Sequence, residues 1–340
     1  MNTILTPTSV EELVEAVQSA SRVIAVGAGT KPRLSQVDAV RISMAGLRGI
    51  REYDPSEFTF TAAAGTPLRE IAAALAERGQ YLPFDPMLVD AGATLGGTVA
   101  AGLSGPGRFR YGGLRDFILG VRFVDGTGRL LRMGGKVVKN AAGFDLPKFF
   151  VGSLGRFGVL AEMTFKVFPR PPGMLTLRLR GGATVLTEAA NARFEFDALD
   201  IAPGETEVLG RLCGPEVALK ALSREVLARW PGEIVSDDPW AALREFRWAN
   251  PETPLIKAAL SPSKVSSLEG LRYHLSAGGN VAFISAKAEE LEERLRNAAL
   301  SGIALRGDAP LWFGVRSRPT IVQAVKQALD PVNRFPSLND

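Results

Sequence analysis

The chain has 340 residues, of which 46% are hydrophobic and 22% are charged, and its formal net charge is +4. This length predicts two domains, and the near-balanced charge, with no basic run of five residues, gives no indication of nucleic-acid binding. The one cysteine, Cys213, excludes an internal disulfide, and the one histidine, His274, excludes a metal site built from a histidine cluster. We expect a soluble protein of the reducing cytoplasm without direct membrane insertion, since no uncharged run reaches ~20 residues and the first residues lack a secretory pattern.

The first predicted elements are a helix, a strand and a glycine-rich loop. Ser9 and Glu12 form a capping box, and apolar residues then recur on one helical face, at Val10, Leu13, Val14 and Val17. The segment 22–26 predicts a strand that leads into the loop Gly27-Ala28-Gly29-Thr30-Lys31-Pro32. That loop lacks the third glycine and the following helix of the dinucleotide fingerprint, and it lacks the Gly-Lys-Ser/Thr ending of a P-loop. Two interpretations stay open: a nest of amide donors beside a lysine, suited to a pyrophosphate, or an ordinary strand-to-loop turn.

A second unit contains a long stretch of small residues. It begins with a strand over 58–62, and a helix follows with Thr66 as N-cap, Pro67 at its first position, Gly79 at its end and a buried face of Leu68, Ile71, Ala72 and Leu75. From Ala91 to Gly107 most residues are Gly, Ala, Ser or Thr, which gives too little side-chain volume for a core. Because glycine allows close approach and leaves its N–H free to donate, this stretch predicts backbone contact with a large anionic or aromatic ligand.

The pattern changes around residue 170. Strands over 118–123 and 130–133 flank Asp125-Gly126-Thr127-Gly128, which predicts a hairpin, and a further strand is expected over 159–167. The run Pro169-Arg170-Pro171-Pro172-Gly173 then interrupts regular structure and is interpreted as the domain boundary. Beyond it, strands such as 175–179 and 281–284 alternate with helices such as 215–229 and 288–300, which predicts an α+β domain with a small antiparallel sheet and helices on one face.

Four motifs together resemble a known family. They are GAGTK at 27–31, PFDP at 83–86, ATLGGTVAAGLSGPGRFRYGGLRDFILGV at 93–121 and GSLGRFGVLAEMTFKVFPRP at 152–171. This combination resembles the flavoproteins of the vanillyl-alcohol oxidase and p-cresol methylhydroxylase (PCMH) type and covers nearly all of the first domain. Within that family the chain is most similar to the FAD-binding E subunits of bacterial glycolate oxidases, through GLSGPGRFRYGGLRDF and GGKVVKNAAGFDLPKFFVGS.

The resemblance implies an α+β fold in which a two-subdomain PCMH-type FAD-binding domain precedes a smaller α+β cap domain. The FAD-binding domain is expected over 1–170, with subdomains of about 1–50 and 51–170, and the cap or interaction domain over 175–340. The FAD pyrophosphate is expected on 27–31 and 94–97, and the 155–159 segment against the adenine and isoalloxazine portions. The full predicted set of cofactor-binding residues is Gly27, Ala28, Gly29, Thr30, Lys31, Pro86, Thr94, Leu95, Gly96, Gly97, Ala100, Ala101, Gly155, Gly158 and Val159.

The chain also departs from its family. Many relatives attach the flavin covalently through histidine or cysteine, but neither residue occurs in the first domain, so FAD is expected to be non-covalent. Relatives that oxidise 2-hydroxy acids unaided carry a metal-binding histidine cluster in the second domain, whereas His274 stands alone and is interpreted as a surface or core histidine. We therefore expect no metal and a dependence on partner subunits.

Few polar side chains remain as catalytic candidates. Lys139 and Asn140 either point at the flavin, where a lysine stabilises the anionic reduced ring, or fix a loop. Arg115 with Asp116 is interpreted as a structural ion pair in preference to an arginine facing the flavin. Cys213 is expected to be a buried structural thiol. The tryptophans Trp230, Trp240 and Trp248 are expected in core packing or a subunit interface.

Two functions compete. In the first, the chain is the FAD-binding subunit of a glycolate oxidase-type complex with a sister flavoprotein and an iron–sulfur subunit, and it takes part in oxidising a small 2-hydroxy acid such as glycolate or D-lactate. Such a hetero-oligomer would lie in the cytoplasm or at the periphery of the inner membrane through its partners. In the second, the chain is a non-catalytic assembly or structural subunit that retains a flavin fold.

Overall fold

The fold is taken from a computed structural model, which describes residues 4–135, 145–204, 206–235, 238–316 and 320–340. Its elements are helices and largely antiparallel strands, which confirms the predicted α+β class. No helix within these ranges has the length and apolar character needed to cross a membrane.

A parallel sheet of three strands and one helix form the first unit. Its elements are β1 (Ile4–Leu5), α1 (Val10–Gln18), β2 (Val23–Val26) and β3 (Val40–Ser43), in the sheet order β1-β3-β2. The Ser9 hydroxyl accepts a hydrogen bond from the Glu12 N–H (3.1 Å), which confirms the predicted cap. The Glu12 carboxylate accepts from the Thr8 N–H (2.7 Å), and hydrogen bonds from Thr8 and from the Ser9 backbone lower the pKa of Glu12. Strand β2 ends at Val26, so Gly27 begins the glycine loop as predicted.

An antiparallel sheet of five strands forms the second unit. The elements of this unit are β4 (Ile50–Asp54), β5 (Thr59–Ala63), α2 (Leu68–Ala76), β6 (Gln80–Tyr81), α3 (Leu95–Ala101), α4 (Arg108–Tyr111), β7 (Ile118–Val124), β8 (Leu130–Gly134), α5 (Leu146–Phe149), β9 (Val159–Lys166) and β10 (Phe168–Pro169). The strand order of the sheet is β4-β5-β9-β7-β8, and β6 pairs separately with β10.

The start and the buried face of α2 differ from the prediction. The Thr66 hydroxyl accepts from the Gly49 N–H (2.9 Å) and donates to the last carbonyl of β5 (2.7 Å), so it ties two loops together and does not cap the helix. The helix therefore begins at Leu68. Ala72 is exposed, because the buried face is narrower than the sequence suggests, whereas Gly79 (φ +63°) follows the helix end as predicted.

A sheet of nine antiparallel strands forms the third unit. The strand order is β14-β11-β13-β12-β16-β17-β15-β18-β19, so the sheet is antiparallel as predicted but larger than expected. The elements are β11 (Met174–Arg180), α6 (Gly182–Ala190), β12 (Ala198–Ile201), β13 (Glu207–Cys213), α7 (Glu216–Arg229), β14 (Gly232–Val235), α8 (Pro239–Arg244), β15 (Leu255–Ala259), β16 (Arg272–Ser276), β17 (Val281–Ser285), α9 (Ala288–Asn297), β18 (Ser301–Arg306) and β19 (Trp312–Gly314).

A buried ion pair joins the second and third units. The Asp85 carboxylate accepts from the Arg211 guanidinium of β13 (2.5 Å) and from the Gly107 N–H (2.7 Å). Both charged side chains are almost fully buried, and the Trp240 ring lies over the guanidinium, with 5.3 Å from its central carbon to the ring centre. The Pro83–Pro86 loop is thus held against the large sheet by a charge pair shielded from water.

The end of the chain returns to the first two units. After α10 (Thr320–Leu329), the carbonyl of Arg334 accepts from the Val23 N–H at the start of β2 (2.9 Å). The Arg334 guanidinium donates to the Val17 carbonyl at the end of α1 (2.9 Å), and the Leu329 carbonyl accepts from the Gly126 N–H (2.8 Å). Residues 320–340 therefore complete the packing around β2.

Candidate cofactor site

One cavity collects most of the residues predicted to bind the cofactor. It encloses about 750 Å³ of empty space, including its mouth, between the loop after β2, the start of α3 and the 153–160 segment. Its lining includes the predicted residues Gly27, Ala28, Gly29, Thr30, Lys31, Thr94, Gly96, Gly97, Ala100, Ala101, Gly155 and Gly158. The two glycine-rich stretches, far apart in sequence, thus face a common space.

Three of the predicted residues lie elsewhere. Pro86 lines a neighbouring cavity beside Asp85 and Arg244. Leu95 and Val159 are buried in the hydrophobic core with 0% and 1% exposure. The cofactor cavity also includes residues that sequence reasoning missed, namely Ala25, Val26, Leu34, Ser35, Met44, Ala64, Ser153, Leu154 and Leu160. Most of these are ordinary apolar residues without a motif of their own.

The two glycine-rich stretches approach each other closely at Gly27. A Cβ atom on Gly27 would lie 2.3 Å from the Thr94 hydroxyl oxygen, a distance that no real contact allows. The same hydroxyl accepts from the Gly97 N–H (3.3 Å) and so caps α3. Glycine is needed at position 27 because the capping threonine occupies the space of a side chain.

Free backbone donors lie on the first loop. Among the described residues, the amides of 28–31 donate to no other group. At the start of α3, by contrast, the Leu95 N–H donates to the Thr66 carbonyl (2.9 Å) and the Gly96 N–H to the Ala64 carbonyl (2.8 Å). Within the described part of the chain, the loop after β2 therefore has the unpaired N–H groups that an anionic ligand requires.

Lys31 adds a buried positive charge to this loop. Its side chain is 92% buried, and its Nζ donates to the Thr30 hydroxyl (2.9 Å) with no carboxylate within 4.0 Å in the described part of the chain. Burial lowers the pKa of Lys31 to about 8. An unpaired buried cation is costly, so its presence beside free amides indicates a site for an anion.

The predicted polar candidates have mixed outcomes. Lys139 and Asn140 lie outside the described residues. The predicted Arg115–Asp116 ion pair is wrong: Asp116 accepts from the Gly113 N–H (2.8 Å), and Arg115 has no carboxylate within 4.0 Å among the described residues. Both residues line a second cavity.

The remaining single residues are structural. His274 is fully buried and pairs with Asp200 (2.8 Å), which agrees with a core histidine. Cys213 is half-buried and not fully buried as predicted, and burial raises its pKa to about 12, which agrees with an unreactive thiol. Trp230 and Trp240 are buried core residues. No group of three metal-ligating side chains occurs in the described ranges.

Comparison with known proteins identifies the family. Residues 2–134 match the model of the FAD binding domain family. The chain is 36% identical over 341 residues to glycolate oxidase subunit GlcE of Escherichia coli (strain K12), covering 96% of this chain and 94% of that protein. It is also 34% identical over 131 residues to glycolate oxidase subunit GlcD of Bacillus subtilis (strain 168), covering 38% of this chain and 28% of that protein.

A solved structure supports the fold. Alkyldihydroxyacetonephosphate synthase superposes with a TM-score of 0.70 over 97% of this chain and 74% of that chain, at 17% identity. At this identity the likeness shows the fold alone, and with the family match it confirms the predicted PCMH-type fold. The extended match at 36% identity shows more: the chain belongs to the family of glycolate oxidase subunit GlcE, and its cofactor is FAD.

Proposed function

We propose that the chain is the FAD-binding subunit of a glycolate oxidase-type complex and takes part in oxidising a 2-hydroxy acid, glycolate or D-lactate, to the 2-oxo acid. The name of its full-length relative supports the complex, and the D-lactate dehydrogenase of Anaerostipes hadrus, 32% identical over 138 residues, supports the substrate class. Bound FAD supplies the two-electron oxidation of the CH–OH group. The protein binds and orients the reactants and excludes water.

The cofactor cavity fits FAD on two observations. The free amides of 28–31 and the buried Lys31 ammonium suit the two negative charges of a pyrophosphate. Gly155 (φ +72°) and Gly158 also line the cavity with backbone atoms, which suits close contact with flat ring systems. The predicted residues that line this cavity are accordingly proposed as the FAD site, with the pyrophosphate mainly on the first loop and not on the already bonded amides of α3.

The rest of the assembly follows from the same family. The FAD is proposed to be non-covalent, since both Cys213 and His274 lie in the third unit and neither lines the cofactor cavity. A sister flavoprotein and an iron–sulfur subunit are the proposed partners, in a cytoplasmic complex that reaches the inner membrane through them. The domain division at residues 170–175 is kept as a proposal, with residues 320–340 packed on the first domain.

The observation that carries the proposal is the buried Lys31, without a carboxylate partner among the described residues, beside the amides of 28–31 in a glycine-lined cavity. The test is an anaerobic visible spectrum of the purified full chain, before and after adding glycolate. Flavin that separates from the protein on denaturation supports non-covalent FAD. Bleaching of the flavin band by glycolate, with the chain alone or with the partner subunits, supports participation in the oxidation. No band after adding FAD would favour the assembly subunit instead.

A further inference from the structure

A second cavity adjoins the cofactor cavity. Ala101 and Leu154 line both, so the two spaces share a wall. The second cavity encloses about 730 Å³ of empty space, including its mouth, and combines apolar residues with a group of cations. The apolar side includes Val151, Ile303 and Trp312, and the cations are Arg108, Arg115 and Lys257.

The three cations come from separate elements. Arg108 begins α4, Arg115 lies in the turn Leu114–Asp116, and Lys257 lies in β15 of the large sheet. None of them has a carboxylate within 4.0 Å in the part of the chain that the structure describes. Lys257 Nζ donates to the Gly102 carbonyl (2.6 Å), which places its charge at the junction of the two units. The fold thus brings three positive charges to one cavity.

Gly113 positions the Arg108 guanidinium. A Cβ atom on Gly113 would lie 2.8 Å from Arg108 Nη1 and 3.4 Å from the Ser104 hydroxyl oxygen. Ser104 is buried, and its oxygen accepts from the Leu114 N–H (3.0 Å), while its hydroxyl proton has no acceptor among the described residues. The absence of a side chain at Gly113 therefore lets the guanidinium lie against the backbone beside a free hydroxyl donor.

One carboxylate also lines this cavity. Asp116 accepts from the Gly113 N–H (2.8 Å), so one of its oxygens is already engaged. With three cations and one carboxylate, the lining has a net charge of +2 when all four groups are ionised. The cations also repel one another: burial and the nearby Arg108 lower the pKa of Lys257 to about 8. A bound anion would relieve that repulsion.

We infer that this second cavity binds the carboxylate of the hydroxy acid on Arg108, Arg115 and Lys257, with its carbon chain along the apolar wall beside the cofactor cavity. The identity of the acid rests on the proposed function. Planar guanidinium groups match a carboxylate well, and a small acid needs only a few convergent polar groups in an otherwise apolar cavity. The chain then has its own substrate site, without a histidine cluster or a metal.

The test uses oxalate as the probe, because it is a small dicarboxylate with no oxidisable C–H bond. Oxalate is titrated into the purified, FAD-loaded full chain, and binding is followed by calorimetry and by the change in the flavin spectrum. Arg108→Gln and Arg115→Gln are each expected to weaken oxalate binding at least about tenfold, the typical loss for one charge-assisted hydrogen bond. Arg110→Gln is the matched control, since Arg110 lies in the same helix, pairs with Glu195 (2.9 Å) and lines neither cavity.

A second variant shifts the position of the Arg108 guanidinium and leaves the charge of the cavity unchanged. Gly113→Ala displaces the flexible end of Arg108, and the φ of −91° at this position accommodates alanine without strain. We expect weaker oxalate binding with an unchanged thermal unfolding midpoint and an unchanged FAD affinity.

The inference is overturned if wild-type chain does not bind oxalate, or if Arg108→Gln and Arg115→Gln bind it as well as Arg110→Gln does. A wild-type chain that binds no FAD contradicts the proposed function instead. In that case calorimetry with oxalate on the FAD-free chain still decides whether the carboxylate site exists.

Discussion

Replacing Lys31 by methionine is expected to change stability and cofactor affinity in opposite directions. The ammonium is almost fully buried without a carboxylate partner in the described residues, and its pKa falls from 10.5 to about 8. Such a shift corresponds to a cost of ~3 kcal/mol to the FAD-free protein at neutral pH. Methionine keeps a similar length and apolar stem but removes the charge, so the FAD-free variant is expected to gain up to ~3 kcal/mol in free energy of unfolding.

The same substitution removes the one buried cation of the proposed pyrophosphate site. FAD affinity is expected to fall at least about tenfold, since hydrogen bonds to charged groups contribute ~1.5–3 kcal/mol. A residue that costs stability and provides binding is typical of a functional site.

The assay is urea unfolding of the FAD-free chain, followed by tryptophan fluorescence, together with FAD titration by flavin fluorescence. The pH dependence gives a control within the same experiment. Because the folded-state pKa of Lys31 lies below its unfolded value, the unfolded chain binds more protons between pH 8 and 10.5, and wild-type stability rises relative to Lys31→Met over that window. A variant that is less stable than wild type at pH 7, or that binds FAD equally well, would refute the reasoning.

Three further outcomes are expected. Gly27→Ala should weaken FAD binding at least about tenfold in flavin titrations, because the alanine Cβ would lie 2.3 Å from the Thr94 hydroxyl oxygen. The double variant with Thr94→Ala should recover part of the lost affinity; no recovery would contradict the steric cause. Asp85→Asn should lower the free energy of unfolding by ~3–5 kcal/mol in urea, because it leaves the Arg211 charge buried and unpaired; a loss under ~1 kcal/mol would count against that role. Oxalate affinity, measured by calorimetry, should decline as pH rises through about 8, the pKa of Lys257, and Lys257→Met should remove this dependence although Arg108, Arg115 and Asp116 still line the cavity; a flat wild-type profile would exclude the lysine from the site.

Much of the fold can be predicted from local sequence signals. Short-range patterns predicted β2, the hairpin of β7 and β8, and α7 to within about two residues, because turn residues and apolar periodicity act locally. The start of α2 was misplaced, since Thr66 bonds to Gly49, which lies 17 residues away. In the sequence, a threonine that caps the following helix cannot be distinguished from one that hydrogen-bonds to a distant loop.

In the candidate site, too, features with a local sequence signal were predictable and features that depend on distant contacts were not. The glycines of the first loop carry their own signal, because few other residues allow such close approach to Thr94. The second cavity had no such signal: Lys257 is a single lysine in a strand, and its meeting with Arg108 depends on how two sheets pack. Arg115 was misread because adjacent opposite charges suggest a pair, whereas Asp116 bonds to a backbone amide.

The return of the chain end to β2 affects the order in which the protein is completed during synthesis. Arg334 must reach carbonyls up to 317 residues away before the packing around the glycine loop is finished. At ~5–20 residues per second a ribosome needs roughly 15–60 s to make that length of chain. During that time the edge of the first sheet and the carbonyls that Arg334 contacts stay exposed to solvent. An interrupted or C-terminally shortened product would therefore be a target for chaperones and proteases, even though it contains both glycine-rich stretches.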